Sequence, residues 1–426
     1  MANFKYIRAE DLDHAWLNFE LDVPLDPLPD GRLNPFYVNR PGNPIAQLED
    51  GLLGRYYSPP KLFFSGHRGC GKSTELRRLA VKPEILAKYY PIHFTIRNEA
   101  DINNLDFKDV LLAIGGRMYR DYKARGGKLP AQLEKELDNW RGKLMEEVTR
   151  ADRLAGFEVD GGLDAFFATA GLKMKLEPAT RHVMRQVIER DVTGLIRVID
   201  DIVAAILARE KRMPLVLIDD LDKPDLNIAR EIFYGHRETM LQPNCAIVYT
   251  VSSPLFYSGE MVAIRQRATP VFLPNIKLHA QGKKQKDREG YETMREFVCR
   301  RMNPDLILPK ALDEAVRIGG GVFSEMARVM RSAIQRARRH GRIVIENVRG
   351  AEVEIRGEYR RILTAEQRAL MKTIHATNRL DEPDKVAPLL QFLAVLEYAN
   401  GDTWCDVHPA LVSLLEEDEK AGEERA

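Results

Sequence analysis

Short, continuous apolar runs separated by longer stretches of helical spacing set the pattern of this chain. Five runs read as buried strands: "KLFFS" from Lys61, "IHFTI" at 92–96, Leu215 to Ile218 in "MPLVLIDD", "AIVYTVS" at 246–252 and "TPVFLP" at 269–274. Between most of them lie helical patterns. Phe107, Val110, Leu111, Ile114 and Met118 share one face, as do Val192, Leu195, Ile196, Ile199, Ile202, Val203 and Ile206. Apolar strands alternating with such helices predict an α/β fold built on a parallel sheet flanked by helices.

Four further segments complete the organisation. Residues 97 to about 190 are longer than an ordinary strand connection, and their middle predicts a mostly helical insertion with a Gly-rich, hairpin-forming centre. After the fifth strand comes a charged linker with Lys277, Lys283, Lys284, Lys286 and Arg288. It reads as a solvated loop or as a phosphate-contacting patch. "ALDEAVRIGGGVFSEMARVMRSAIQRARRHGR" then predicts a helical lid. Its apolar face carries Phe323, Met326, Val329, Met330, Ala333 and Ala337, with Arg328, Arg331, Arg338, Arg339 and Arg342 mainly elsewhere. Two more helices lead into "FLAVLEYANGDTWCDVHP", where "NGD" predicts a hairpin turn. The expected boundaries are an N-terminal extension at 1–50, an α/β domain at 51–276 with its insertion at about 100–190, a lid at 277–360, a C-terminal module at 361–415 and a disordered acidic tail at 416–426.

Composition narrows the class. The 426 residues are 30% charged and 44% hydrophobic with a formal net charge of +1, so no global field draws the chain to nucleic acid or membrane. Cys70, Cys245, Cys299 and Cys405 are scattered without a CxxC pair, which argues against a disulfide framework and a thiolate metal cluster. Neither a leader-like N-terminus nor a membrane-length apolar run is expected, so the predicted location is cytoplasmic.

Chemistry enters at "GHRGCGKST". Gly66, Gly71, Lys72 and Ser73 fit the phosphate-loop pattern G-x-x-x-x-G-K-[ST], placed between a strand and a helix start. Glycines let successive N–H groups converge on phosphate oxygens. Lys72 brings a cation to the β- and γ-phosphates, Ser73 a hydroxyl to Mg²⁺, and the helix N-terminus a partial positive charge. The predicted phosphate-contacting set is Gly66, His67, Arg68, Gly69, Cys70, Gly71, Lys72, Ser73 and Thr74, the last without a metal role. Within it, Cys70 contributes its backbone, or a thiol that makes binding sensitive to oxidation. A second motif supplies carboxylates: the strand Leu215 to Ile218 ends in Asp219 and Asp220. Asp219 is the expected Walker B residue reaching Mg²⁺. Asp220 either polarises the attacking water or caps the next helix, and Asp222 reads as a turn or cap residue.

A candidate strand between these two motif strands marks the additional-strand class of phosphate-loop proteins. Here the chain resembles the AAA+ and STAND ATPases, particularly their Orc/Cdc6-like branch. The resemblance implies sheet order 5-1-4-3-2, ATP and Mg²⁺ as cofactors, and a C-terminal winged helix. It also implies a sensor 1 hydroxyl from Ser252 or Thr250, with Ser252 assigned beside Lys72 and Asp220 to catalysis. The family's "GG-x-P-R" turn places an arginine, sensor 2, against the γ-phosphate. Here "GGVFSEMAR" puts Ser324 at that place, leaving Arg328, one turn later, as the candidate. Arg265 or Arg267 is the candidate arginine finger.

Three functions compete at this level. The first is an ATP-hydrolysing switch that self-associates or controls an effector protein from the same operon, a context that in bacteria includes antiphage defence. The second is a DNA-acting loader or initiator using the lid arginines and the linker on the DNA backbone. The third is a scaffold that binds nucleotide without turnover. Against the second, "APLLQFLAVLEYA" has no basic residue and one acid, Glu397. No membrane partner is expected.

Overall fold

The computed structural model describes residues 6–20, 25–28, 31–151, 163–282, 285–400 and 402–423. The chain forms two compact units. One comprises 47–65 and 79–271; the other comprises 1–46, 66–78 and 272–426.

The first unit is built on a five-stranded parallel sheet, some of whose strands end in the neighbouring segment of chain. Its strands are β1 (Lys61–Gly66), β2 (Tyr89–Thr95), β3 (Met213–Asp219), β4 (Ala246–Thr250) and β5 (Thr269–Leu273), ordered β2-β3-β4-β1-β5. That is the order 5-1-4-3-2 read from the other edge. Register aligns Thr95 with Asp219 and Phe64 with Thr250, so the strands' C-terminal ends share one edge. All five predicted strands are present. The second begins earlier than expected, at Tyr89, because Pro91 hides it in the sequence; β2 is an edge strand, where a missing N–H is tolerated. It stops at Thr95 because Ile96 opens a short helix.

Helix Phe107–Ala124 starts at a capping box made by Asp106 and Asp109, and it buries Phe107, Val110, Leu111, Ile114 and Met118. Helix Val192–Glu210 buries the predicted apolar stripe except Val192, which is half-buried. The insertion is helical as read: Ala131–Ala151, Leu163–Leu176 and Pro178–Arg190. Its Gly-rich centre lies outside the described residues. Arg185 on the last of these helices holds the buried Asp109 carboxylate, and Arg181 pairs with Asp101 at 2.7 Å. These ion pairs tie the insertion to the start of helix Phe107–Ala124.

In the second unit, the lid consists of helices Arg288–Arg301, Pro309–Ile318, Phe323–Ala337 and Ile345–Ile362. The N-terminal extension is woven into it. Ala9 N–H donates to Arg301 O at 3.0 Å, Asn303 N–H donates to Ala9 O at 2.7 Å, and Trp16 lies under the Arg331 guanidinium. Beyond the lid come helices Ala365–Thr377 and Pro383–Gln391 and the antiparallel hairpin β6 (Val395–Asn400) and β7 (Asp402–Val407). The last helix runs Val412–Glu423, so residues 416–423, expected to be disordered, are helical. Glu, Lys and Ala are good helix formers, and acidity alone misled the reading. Lys283 and Lys284 of the linker lie outside the described residues. Among the described residues no helix is long and apolar enough to cross a membrane.

The turn before helix Phe323–Ala337 fixes where the lid begins. Gly321 has φ +74°, and a Cβ there would sit 1.8 Å from the Ile276 carbonyl, while Ile276 N–H donates to Gly321 O at 3.0 Å. Gly341 has a similar φ of +70° but open space around it. Gly321→Ala should therefore cost more than Gly341→Ala: roughly 2–3 kcal/mol or more against about 1 kcal/mol. Denaturant unfolding of the two variants measures the difference.

Candidate nucleotide-binding site

The phosphate loop follows β1 and ends at helix Lys72–Ala80. It is folded around its own lysine. Lys72 Nζ is buried and donates to Gly66 O at 2.7 Å and His67 O at 2.9 Å. A buried ammonium needs such acceptors, and two carbonyls from one end of the loop bend it into a ring. Gly69, at φ +76°, has a conformation that favours glycine, and a Cβ on it would meet Ser324 Oγ at 1.8 Å.

Four further segments grip this loop. Arg40, from the N-terminal extension, is buried; it donates to Cys70 O at 2.5 Å and to Pro274 O, and its guanidinium lies 5.5 Å from the Phe323 ring centre. Burial pulls the Arg40 pKa down, with Cys70 and Glu75 opposing. From the lid, Ser324 N–H donates to Gly69 O at 3.2 Å. From the end of β5, the Leu273 carbonyl packs where a Gly66 Cβ would be. From the C-terminal hairpin, Glu397 N–H donates to His67 Nε2 at 2.9 Å. His67 is fully buried. Burial first, then the Lys72 ammonium, push its imidazole down to about 3, the Leu390 carbonyl partly offsetting them. The ring is neutral at pH 7, with its proton on Nδ1, as acceptance at Nε2 requires.

The other predicted loop residues fall as follows. Arg68 is exposed, Ser73 and Thr74 open the helix in half-buried positions, and the Cys70 thiol is buried while its carbonyl serves Arg40. Arg328 is engaged by two carboxylates, Glu325 at 3.6 Å and Glu358.

The sheet unit carries the second set. Asp219 is buried at the end of β3, where it accepts Asp220 N–H at 2.9 Å. Asp220 has φ +66°, unusual for a residue with a side chain. Its carboxylate accepts from Thr95 Oγ1 at 2.6 Å and faces Arg97 Nε at 3.4 Å. It does not cap the next helix: Asp225 does that for Leu226–Arg230, and Asp222 is not the cap either. At the end of β4 the two hydroxyls divide. Thr250 Oγ1 accepts Leu221 N–H at 2.9 Å and donates to Ile218 O at 3.1 Å, which commits it to the backbone. Ser252 Oγ is buried without a hydrogen-bond partner. Arg265 lies over the Phe256 ring and Arg267 pairs with Glu238 at 3.4 Å; both are exposed.

Sequence reasoning missed Arg40, Thr95, Arg97 and Asn275, and it missed that His67 and Glu397 meet. Arg40 precedes the loop by a long stretch of chain, and no motif announces it. Thr95 and Arg97 had a weak signal, since Thr95 ends the strand beside the one carrying Asp219 and Arg97 follows it by two residues. The donor types fit the implied cofactors. Hydroxyl and carboxylate oxygens suit Mg²⁺, and a lysine-wrapped glycine loop suits phosphate.

Because His67 titrates lower in the folded protein than its ordinary value of about 6.5, the unfolded chain takes up the proton first. The stabilisation is full above pH 6.5 and is lost as pH falls toward 3. Moving from pH 7 to pH 5 should cost about 2 kcal/mol through this residue. His67→Gln keeps an acceptor at the same place and should lose that share of the pH dependence, measured as the difference between wild-type and variant denaturant curves.

No family model matches the chain, and no curated protein matches it. Solved structures similar to it include the Orc1 protein of Aeropyrum pernix in complex with DNA, at 15% identity and TM-score 0.40 over 91% of this chain and 95% of that one. Cdc6p from Pyrobaculum aerophilum is similar at 11% identity and TM-score 0.39, covering 90% of this chain and 98% of that one. The RuvB Holliday junction branch migration motor of Thermotoga maritima follows at 12% and 0.35, with 88% of each chain covered. The chain's own strand order carries the assignment: with β2 at the edge next to β3 and the phosphate loop leaving β1, it has the additional-strand P-loop NTPase fold that the AAA+ resemblance implied.

Proposed function

We propose that this chain is an ATP-binding, ATP-hydrolysing switch. The observation that carries the reading is the phosphate loop wrapped on Lys72. In this reading the loop amides and Lys72 hold the β- and γ-phosphates, and Ser73 and Asp219 hold Mg²⁺. The metal, when bound, supplies charge neutralisation on the phosphates. Asp220, fixed by Thr95, takes the role of orienting and polarising the attacking water. The buried Ser252 hydroxyl serves as sensor 1 in preference to Thr250. Arg328 would have to leave Glu358 before it could reach a phosphate as sensor 2. Arg265 or Arg267 is kept as the finger offered to a neighbouring subunit.

The partner side rests on the resemblance: self-association, or control of an effector encoded in the same operon, with antiphage defence as the biological setting. A DNA-loading role finds less support in the lid. Arg317 pairs with Glu352 and Glu314, Arg328 with Glu358, Arg336 with Glu354 at 3.4 Å and Arg338 with Asp13 at 3.0 Å. Of the five lid arginines considered for DNA, Arg328 and Arg338 are engaged by carboxylates and Arg331 lies on the Trp16 ring, which leaves fewer of them to meet phosphates.

Lys72→Ala should weaken ATP binding by two orders of magnitude or more, while Asp220→Asn should retain binding and lose turnover by roughly 10²–10³-fold. Isothermal titration and phosphate release read the two effects. Unchanged turnover and assembly in both variants would refute the ATPase reading; binding without turnover in wild type would leave the scaffold. For DNA, we expect no salt-sensitive binding, and charge reversal at Arg338, Arg339 and Arg342 should change nothing. Binding that falls steeply with salt and is lost on that reversal would make the loader reading the better one.

A further inference from the structure

We propose that His67 is a positioning residue that couples phosphate-loop occupancy to docking of the C-terminal hairpin β6–β7, so that the docked hairpin preorganises the loop for nucleotide. The inference rests on the loop being the nucleotide site.

An antiparallel pair leaves each residue with both backbone polar groups either toward the partner strand or toward the outside. Glu397, opposite Cys405 in the hairpin, turns both outward. Its N–H goes to His67 Nε2 at 2.9 Å, and its carbonyl accepts from Asn275 Nδ2 at 3.0 Å. One contact is inside the phosphate loop, and the other lies two residues past β5. An edge that would otherwise need another strand is thus completed by the loop and its flank.

The same hairpin is anchored beside the turn that starts the lid helix. Tyr398 Oη donates to Gly320 O at 2.8 Å, and Val322, Leu393, Leu396, Tyr398 and Trp404 form one buried cluster. That helix in turn contributes Ser324 N–H to Gly69 O. Hairpin and lid therefore hold the loop at two places, through His67 and through Gly69. Both places lie within the stretch Gly66 to Thr74 whose amides would face phosphate.

The His67 carbonyl is one of the two that Lys72 grips, and its ring is what the hairpin grips. Backbone and side chain of one residue thus carry both contacts. A loop held in this ring has less conformational freedom to lose when an anion arrives. Linkage then requires the reverse effect: bound nucleotide must tighten the hairpin.

The experiment uses the full chain, with ATP·Mg²⁺ and ADP as probes. Amide hydrogen exchange across β6 is followed by mass spectrometry, and nucleotide affinity by titration. In wild type, nucleotide should slow exchange in the peptide containing Glu397 at least several-fold. His67→Leu should bind nucleotide roughly 10-fold more weakly and lose the added protection, and His67→Gln should restore both. Asn275→Ala lies outside the loop and keeps the phosphate-facing amides, yet it should weaken nucleotide binding in the same direction. Tight nucleotide binding with unchanged exchange in β6 would overturn the coupling alone, as would wild-type affinity in both His67→Leu and Asn275→Ala. No nucleotide binding by wild type would overturn the site itself and the coupling with it.

Discussion

A buried ammonium without acceptors would cost several kcal/mol, and the placement of Lys72 answers that constraint with the carbonyls of Gly66 and His67. Much else follows from it. The two contacts set the curvature of the loop, and the curvature demands glycine at position 69. The charge adds to burial in keeping His67 neutral, and only a neutral imidazole can accept the Glu397 N–H. A protonated ring there would present a donor to a donor beside a second cation. Lys72 thus adds to burial in keeping the acceptor on which the C-terminal hairpin docks.

The sheet unit solves a different problem with similar economy. Two carboxylates follow one another at the end of β3, and both cannot point the same way on a strand. Asp219 stays in the strand direction and is buried. Asp220 turns out of the strand through a left-handed backbone angle, a conformation of a kind that costs of order 1–3 kcal/mol. The Asp219 carboxylate offsets part of that by accepting the Asp220 N–H, and Thr95 and Arg97 receive the displaced side chain. Strain of this kind survives where its surroundings over-determine it, and here three neighbours do so.

The strands were legible because each is a continuous apolar run; β2 and β3 begin earlier than the runs suggest, each across a proline that looks like a break. The phosphate loop and the Asp219–Asp220 pair were legible because their chemistry imposes fixed residue types at fixed spacing. What escaped is what spacing cannot encode. Arg40 and Glu397 reach the loop from distant parts of the chain and Asn275 reaches Glu397, and all three use or meet backbone groups, which any residue carries. His67 was read as one more loop position because the pattern permits any residue there; only burial shows that its side chain leaves the phosphate side. Likewise β-alternation left Thr250 and Ser252 open, and the hydrogen bonds of Thr250 separate them. The acidic tail was misread for a related reason, since charge signals solubility and says little about helix.

The lid's departure from the family turn then takes on a physical meaning. Where an arginine would stand, Ser324 brings a small side chain and a backbone N–H to Gly69. The serine sits close on the loop: a Cβ on Gly69 would meet its Oγ at 1.8 Å, and the Arg40 guanidinium lies 5.5 Å from the neighbouring Phe323 ring centre. A long cation reads phosphate charge at a distance, whereas a peptide N–H on a loop carbonyl reads the loop's shape at contact. With Arg328 held by carboxylates and Ser324 on the loop, this lid is suited to respond to loop conformation first and to phosphate charge second. That order requires a loop whose conformation depends on something other than phosphate, and the His67 contact with the hairpin supplies one.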